Sequence, residues 1–339
     1  MSRRLRVVQW TTGKTGSAAV LGMIGHPVLE LVGCYAYSPE KVGRDVGELC
    51  GTGPLGITAT DDVEALLALE PDCVAYVPYR PNFDHVVRIL ESGANVVTSM
   101  YMLAGAGYGE EATARIRNAA LRGGSSLYAG GIYPGHAVMV GLAASAVCRR
   151  IDRFSVLESV EVSEYANEKM FRAQGFDLEP DDPEAPKLAE ASCGSFKDQV
   201  PVAARALGLK IDRVGFRVEF ATADETVDFG FMTLHQGRIA AFQGVVAGMV
   251  GDRSVIECRF CWKLGDRMTP NWPVTNGYLV EIEGDPSLRC TLQPTSGHFD
   301  GAETTAMPLV NAIPAVCAAP PGIVNQMELP FVRGAHIIR

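Results

Sequence analysis

Thr11-Thr12-Gly13-Lys14-Thr15-Gly16 lies between an apolar run, "RLRVVQW", and a stretch of helical periodicity that starts at Ser17. Gly13-Lys14-Thr15 invites a comparison with triphosphate-cradling loops, but the pattern G-x-x-x-x-G-K-[ST] would put its first glycine at Val8, inside the apolar run. The arrangement that fits is a strand, a tight turn and a helix start with G-x-G-x-x-G spacing, threonine taking the first position. In that frame Gly13 lets backbone N–H groups approach a pyrophosphate. Gly16 lets helix and strand pack closely, and the helix N-terminus adds partial positive charge. Thr11, Thr12, Gly13, Lys14, Thr15 and Gly16 are therefore the expected dinucleotide-binding residues of the first turn.

A ribose partner should follow at the tip of the second strand, about 20 residues on. There the chain reads Ala36-Tyr37-Ser38-Pro39-Glu40-Lys41, with no carboxylate at the tip. Ser38, Lys41 and Arg44 could hold a 2′-phosphate, so NADP(H) is favoured, while Glu40 leaves NAD(H) open. The alternative is that Lys41 and Arg44 are solvated loop charges. Pro78 and Tyr79, after "DCVAYV", complete the expected cofactor edge.

Hydride transfer to an unsaturated carbon needs positioning, a dry pocket and a proton donor. Tyr101 follows "NVVTS", at the carboxyl edge where a doubly wound sheet binds ligand, and a phenol there can donate to a developing alkoxide. An aromatic ring packed under the cofactor is the competing reading. His136 follows Pro134-Gly135 at a helix start, where it could donate a proton, touch substrate or simply pack. Met100, Met102 and Leu103 would form an apolar wall, which points to a small or medium hydrophobic carbonyl compound.

The elements that must carry these residues read as two sets. Up to residue 137, short β-rich runs alternate with helices near 62–69, 83–93 and 109–122, the pattern of a doubly wound parallel sheet of Rossmann type. From 138 to 302 strands follow one another through turns, with a helix near 197–208, so a second α+β domain on a mostly antiparallel sheet is expected. The Pro-rich, acidic stretch 177–195 reads as a surface loop or lid, and the helical segment from 303 to 339 should complete the first domain.

Composition narrows the classes of function. The 339 residues are 47% apolar and 20% charged, as in a packed globular protein. A net charge of −9 argues against nucleic acid or an anionic membrane as partner, leaving a small molecule. The longest apolar runs fall short of the roughly 20 residues that span a bilayer, no signal peptide is apparent, and a cytoplasmic location is expected. Nine cysteines, mostly single, suit a reducing compartment. Cys258 and Cys261 sit three apart in a strand pattern, hence on opposite faces, and His26, His85, His298 and His336 lack partners at metal spacing, so no metal is expected.

The glycine turn, "SPEKVGRDVGEL", "NVVTS", "GGIYPG", "YLVEIEGDPSLR" and "NAIPAVCAAPPGI" together make the chain similar to the dihydrodipicolinate reductase-like group over nearly its whole length. Within that group the resemblance is to 2,4-diaminopentanoate dehydrogenases and native amine dehydrogenases. It implies a Rossmann domain, a substrate domain that also forms a dimer, and a nicotinamide cofactor used to interconvert ketone plus ammonia with amine. It also implies that position 136 lies in the substrate pocket and that "VSEYANEKMF" lines it, with Tyr165 as substrate contact. The sequence departs from the group in one respect. Where those enzymes place a glutamate after the fifth strand to hold the amine, this chain runs Thr98-Ser99-Met100-Tyr101-Met102-Leu103. Three readings follow: a carbonyl or imine reductase; an amine dehydrogenase using another carboxylate such as Glu164; or a non-catalytic NADP(H)-binding sensor or scaffold.

Overall fold

The computed structural model describes residues 3–100, 108–295, 300–335 and 337. The chain divides into two compact units, Met1–His136 with Asp300–Arg339, and Ala137–Phe299.

The first unit is built on seven parallel strands. β1 (Leu5–Trp10), β2 (Leu29–Tyr35), β3 (Ala59–Thr60), β4 (Cys73–Tyr76), β5 (Asn95–Thr98) and β6 (Ser126–Ala129) are joined by a closing strand, Gly322–Val324, in the order closing strand, β6, β5, β4, β1, β2, β3. Buried apolar runs such as Cys73–Tyr76 mark a sheet covered on both sides. On one face α1 (Lys14–Met23) and the C-terminal helix Gly301–Cys317 pack over Val7, Ala75 and Val97. That pairing is close: a β-carbon on Gly22 would lie 2.4 Å from Met307 Cε. On the other face α3 (Val63–Leu67), α4 (Phe83–Glu91) and α5 (Glu110–Gly123) cover Val8, Trp10, Val74 and Val96. Short α2 (Val46–Leu49) is capped by Asp45, whose carboxylate accepts from the N–H groups of Gly47, Glu48, Leu55 and Gly56.

The second unit opens with α6 (Ala137–Ala144) and builds a mixed sheet from β7 (Arg150–Glu161), β8 (Arg213–Ala223), β11 (Ile239–Val250), β12 (Arg253–Lys263), β13 (Met268–Thr269), β14 (Gly277–Asp285) and β15 (Leu288–Leu292); β9 (Val227–Asp228) and β10 (Thr233–Leu234) form a separate ribbon. The sheet order is β13-β8-β11-β12-β7-β14-β15, with β12 and β7 parallel and the other neighbours antiparallel. α6 and α9 (Gly194–Ala206) lie on one face, where Gly141 meets Phe154 and Val280, and Phe196 meets Phe260. α7 (Glu168–Gln174) and α8 (Ala185–Ser192) precede α9.

α8 corrects the expectation of a loop through 177–195. Pro186 sits at the first turn of the helix, where its missing N–H costs nothing, so a proline-bearing stretch becomes a helix start. Cys258 and Cys261 both lie in β12 as free thiols. Among the described residues no cluster of His, Cys, Asp or Glu could hold a metal, and no helix is long and apolar enough to cross a membrane.

Candidate cofactor site and acid–base residues

The carboxyl ends of β1, β2, β4, β5 and β6 share one edge of the parallel sheet. The segments leaving that edge carry most of the residues singled out from the sequence. After β1, Thr11 adopts φ +73°, a left-handed conformation that glycine takes at no steric cost and a β-branched residue takes only under constraint. The constraint is visible: its N–H donates to Tyr35 O at 2.9 Å, and its carbonyl accepts from Gln9 Nε2 at 2.9 Å. Gln9 is fully buried, and its Oε1 has no hydrogen-bond partner among the described residues.

Gly13 and Gly16 meet different surroundings. A β-carbon on Gly16 would stand 2.1 Å from Thr11 O, so α1 closes directly onto the turn. A β-carbon on Gly13 would meet nothing within 4 Å, which leaves the outer side of the turn open. α1 has no side-chain N-cap and no acid in its first turn, whereas Asp45, Asp62, Asn82 and Asp300 cap other helices of this unit. Open space, uncapped N–H groups and no competing carboxylate are the requirements of a pyrophosphate, and the turn fits one.

Lys41 reaches back to this turn, donating from Nζ to Thr12 O at 2.8 Å and to Thr12 Oγ1 at 3.3 Å. Arg44 is exposed one turn further on. The Glu40 carboxyl is held below its usual range by its own backbone N–H and by the Ser38 hydroxyl. After β4, Pro78 is half-buried and Tyr79 is exposed. Tyr79 and Tyr37, 63% and 67% exposed, leave the strands on either side of β1. Behind them Trp10 stacks on Tyr35 at 4.3 Å, with Tyr76 and His85 against its other edges.

Tyr101 and Met102 lie outside the described residues. Met100 is 4% exposed and belongs to the core cluster of Trp10, Tyr35 and Tyr76, its N–H donating to Thr98 Oγ1 at 3.0 Å. Its side chain fills the core of the first unit and does not form an open wall. His136 ends the kinked segment Ile132–His136, in which Tyr133 is extended (φ −139°, ψ 135°), and its N–H donates to Gly131 O at 2.9 Å. Its ring is half-buried, 6.2 Å from that of Phe331, and burial lowers its pKa, which favours the neutral imidazole.

In the second unit, Tyr165 closes the turn Ser163–Tyr165 after β7 and is half-buried. Glu161 braces that turn, accepting from Ser163 N and Oγ at 3.0 and 2.6 Å and from Gly265 N at 2.9 Å. Glu164 is exposed. One group escapes a motif-based reading. Glu158 of β7 accepts from Trp262 Nε1 at 2.7 Å and from the Tyr278 side chain, and desolvation pushes its carboxyl up to about 7. The signal was its parity with Val156 and Val160 in an alternating strand, which places an acid on the covered face.

Comparisons with known proteins agree with this architecture. The model of the 2,4-diaminopentanoate dehydrogenase C-terminal domain matches residues 137–337. An amine dehydrogenase of Streptomyces virginiae is 31% identical, the alignment covering 96% of each chain. A 4-hydroxy-tetrahydrodipicolinate reductase of Synechococcus elongatus is 38% identical over 63 residues, 19% of this chain and 23% of that one. The solved structure of an amine dehydrogenase from Mycobacterium smegmatis superposes with a TM-score of 0.78 at 24% identity, covering 97% of each chain, and shares the fold. An uncapped, open turn on a parallel sheet, followed by a domain that matches along its whole length, leads to one assignment: the chain belongs to the 2,4-diaminopentanoate dehydrogenase family and is an NAD(P)-dependent oxidoreductase.

Proposed function

We propose that this oxidoreductase transfers hydride between a nicotinamide and the carbonyl or imine carbon of a small-to-medium apolar substrate, with NADP(H) as the favoured cofactor. The observation that carries the reading is the turn at Thr11–Gly16, open at Gly13 and sealed at Gly16. Thr11, Thr12, Gly13, Lys14, Thr15 and Gly16 hold the pyrophosphate, chiefly through backbone N–H groups at the start of α1. Lys41 braces the Thr12 carbonyl, and Ser38 and Arg44 receive a 2′-phosphate at the tip of β2. Pro78 and Tyr79 border the cofactor from β4. NAD(P)H, when bound, supplies the hydride, and the chain supplies position and proton.

Tyr101 and His136 are the proposed proton donors. Burial favours the neutral His136 ring, whose N–H can donate a hydrogen bond to a developing alkoxide; the ring delivers a proton from its imidazolium form, which the lowered pKa confines to more acidic pH. Tyr165 contacts substrate, and Met102 supplies apolar surface. The full-length relative named as an amine dehydrogenase favours the imine side of the reaction, in which ammonia is co-substrate. Cofactor consumption with cyclohexanone tests this: the amine dehydrogenase reading requires ammonium, a simple carbonyl reductase does not, and tight NADPH binding without turnover on either would leave the sensor or scaffold.

We further propose a homodimer formed by two copies of the second unit's uncovered sheet face. Charge pairs run across it, Arg153 and Arg217 to Glu257 and Arg259 to Glu281, beside a hollow of about 280 Å³ lined by Leu157, Val245 and Trp272. Sedimentation at twice the 36.3 kDa chain mass is expected, and the monomer mass would refute it.

A further inference from the structure

A groove of the first unit opens at the amino ends of β1 and β2, where Leu5 begins one strand and Val28 precedes the other. The six residues of β1, about 17 Å of strand, separate it from the turn at Thr11–Gly16. Its volume is about 370 Å³, enough for a small organic molecule. One wall is the C-terminal helix, through Val310, Asn311 and Pro314. The other is the segment 330–335 that follows the closing strand. Leu329 and Val332 pin that segment to the core cluster of Val310 and Ile313, while Phe331 and Arg333 stay exposed beside the groove.

Every ionisable side chain of the lining is basic. Arg3, His26 and Arg333 contribute to it and no Asp or Glu does, in a chain whose net charge is −9. Among the described residues Arg333 forms no ion pair, and the Asn311 amide forms no hydrogen bond. Arg3 gives one guanidinium nitrogen to Asp72 Oδ1 at 2.7 Å, which leaves the rest of its fork for another acceptor. His26 is 7% exposed, and its Nδ1 accepts from Val28 N at 3.4 Å, so the proton of its neutral ring sits on Nε2.

The groove thus offers donors and no acidic acceptor, next to apolar surface from Pro314 and Phe331. A carboxylate on a hydrocarbon body uses both: its two oxygens match a guanidinium fork, and its body covers the apolar wall. An alcohol with the same body buries the same area without the charge-assisted bonds. Inorganic phosphate would leave the apolar wall uncovered.

We propose that this groove binds a small apolar monocarboxylate, with Arg333 and Arg3 holding the carboxylate and Phe331 and Pro314 covering its hydrocarbon. The site shares no residue with the dinucleotide turn, so it stands independently of the hydride-transfer reading.

Calorimetric titration of the full chain with hexanoate, and with hexanol as neutral counterpart, tests this. The wild type should bind hexanoate about tenfold or more tightly than hexanol, with the same affinity in the absence and presence of saturating NADPH. Arg333→Glu should weaken hexanoate about tenfold or more and leave hexanol within about twofold. A wild type without preference for hexanoate, or displacement of hexanoate by NADPH, would overturn the proposal. So would wild-type hexanoate affinity in Arg333→Glu. Should that variant fail to fold by circular dichroism, Arg333→Gln decides, and an unchanged hexanoate affinity is again fatal.

Discussion

Gly16 and Thr11 are in contact through backbone: a β-carbon at 16 would come within 2.1 Å of the Thr11 carbonyl oxygen and 3.0 Å of its carbonyl carbon. No flexible side chain stands between them to move aside. α1 therefore starts as close to the β1 turn as a polypeptide can, and its first N–H groups face the space beside Gly13.

Gly16→Ala and Gly13→Ala should consequently fail in different ways. The first must displace the turn, at a cost of about 1–3 kcal/mol, and should lower both the melting temperature and NADPH affinity. The second enters open space at φ −73°, where alanine is unstrained, so melting should match wild type while the dinucleotide binds about tenfold or more weakly. Thermal melts with and without NADPH separate the two. Equal destabilisation of both apo variants would contradict the geometry.

Lys41 and Arg44, close in sequence, should divide the cofactor's recognition between them. Lys41 holds Thr12 O and so supports the turn that any dinucleotide uses. Lys41→Met should weaken NADPH and NADH by similar factors. Arg44 is exposed and placed for a 2′-phosphate, so Arg44→Ala should weaken NADPH about tenfold and leave NADH unchanged. Dissociation constants for both reduced cofactors check this, and an Arg44→Ala variant with unchanged preference would remove the residue from that role.

Two shifted groups set opposite trends of stability with pH. The Glu158 carboxyl titrates at about 7 in the folded chain, above the 4.5 of a free side chain, so the folded state holds its proton more tightly. Its contribution is complete below about pH 4.5 and is lost as pH rises through 7, by at most about 3 kcal/mol. His136 is shifted downward, so its contribution is present above pH 6.5 and is lost as pH falls through its lowered folded value. Glu158→Gln should therefore raise the melting temperature at pH 8 relative to wild type, with the gain vanishing near pH 4.5. Melting curves across that range check it, and a loss of stability at pH 8 would contradict the assigned environment.

Much of the architecture could be read from the chain because hydrophobic period and turn chemistry agree there. Buried four-residue runs such as Cys73–Tyr76, alternating with amphipathic segments such as Phe83–Glu91, dictate a parallel sheet with helices on both sides. α8 escaped because proline and acidic residues signal a turn equally well before a helix as instead of one. Met100 illustrates another limit: an apolar residue after β5 satisfies a ligand wall and a core alike, and only packing with Trp10 and Tyr76 separates the two. The hydrogen bond of Lys41 to Thr12 spans 29 positions, and that of Trp262 to Glu158 spans 104. Sequence spacing carries neither. Strand register brings Glu158 opposite Tyr278, and no local pattern announces it.

The central claim, hydride transfer between a nicotinamide and an apolar carbonyl-derived carbon, is tested most directly with NADPH carrying deuterium at C4 on either face. Incubated with cyclohexanone and ammonium, the enzyme should give cyclohexylamine one mass unit heavier from one of the two labelled cofactors and unlabelled amine from the other. If neither cofactor delivers deuterium to cyclohexylamine or cyclohexanol, while the protein is folded and binds NADPH, hydride transfer is refuted.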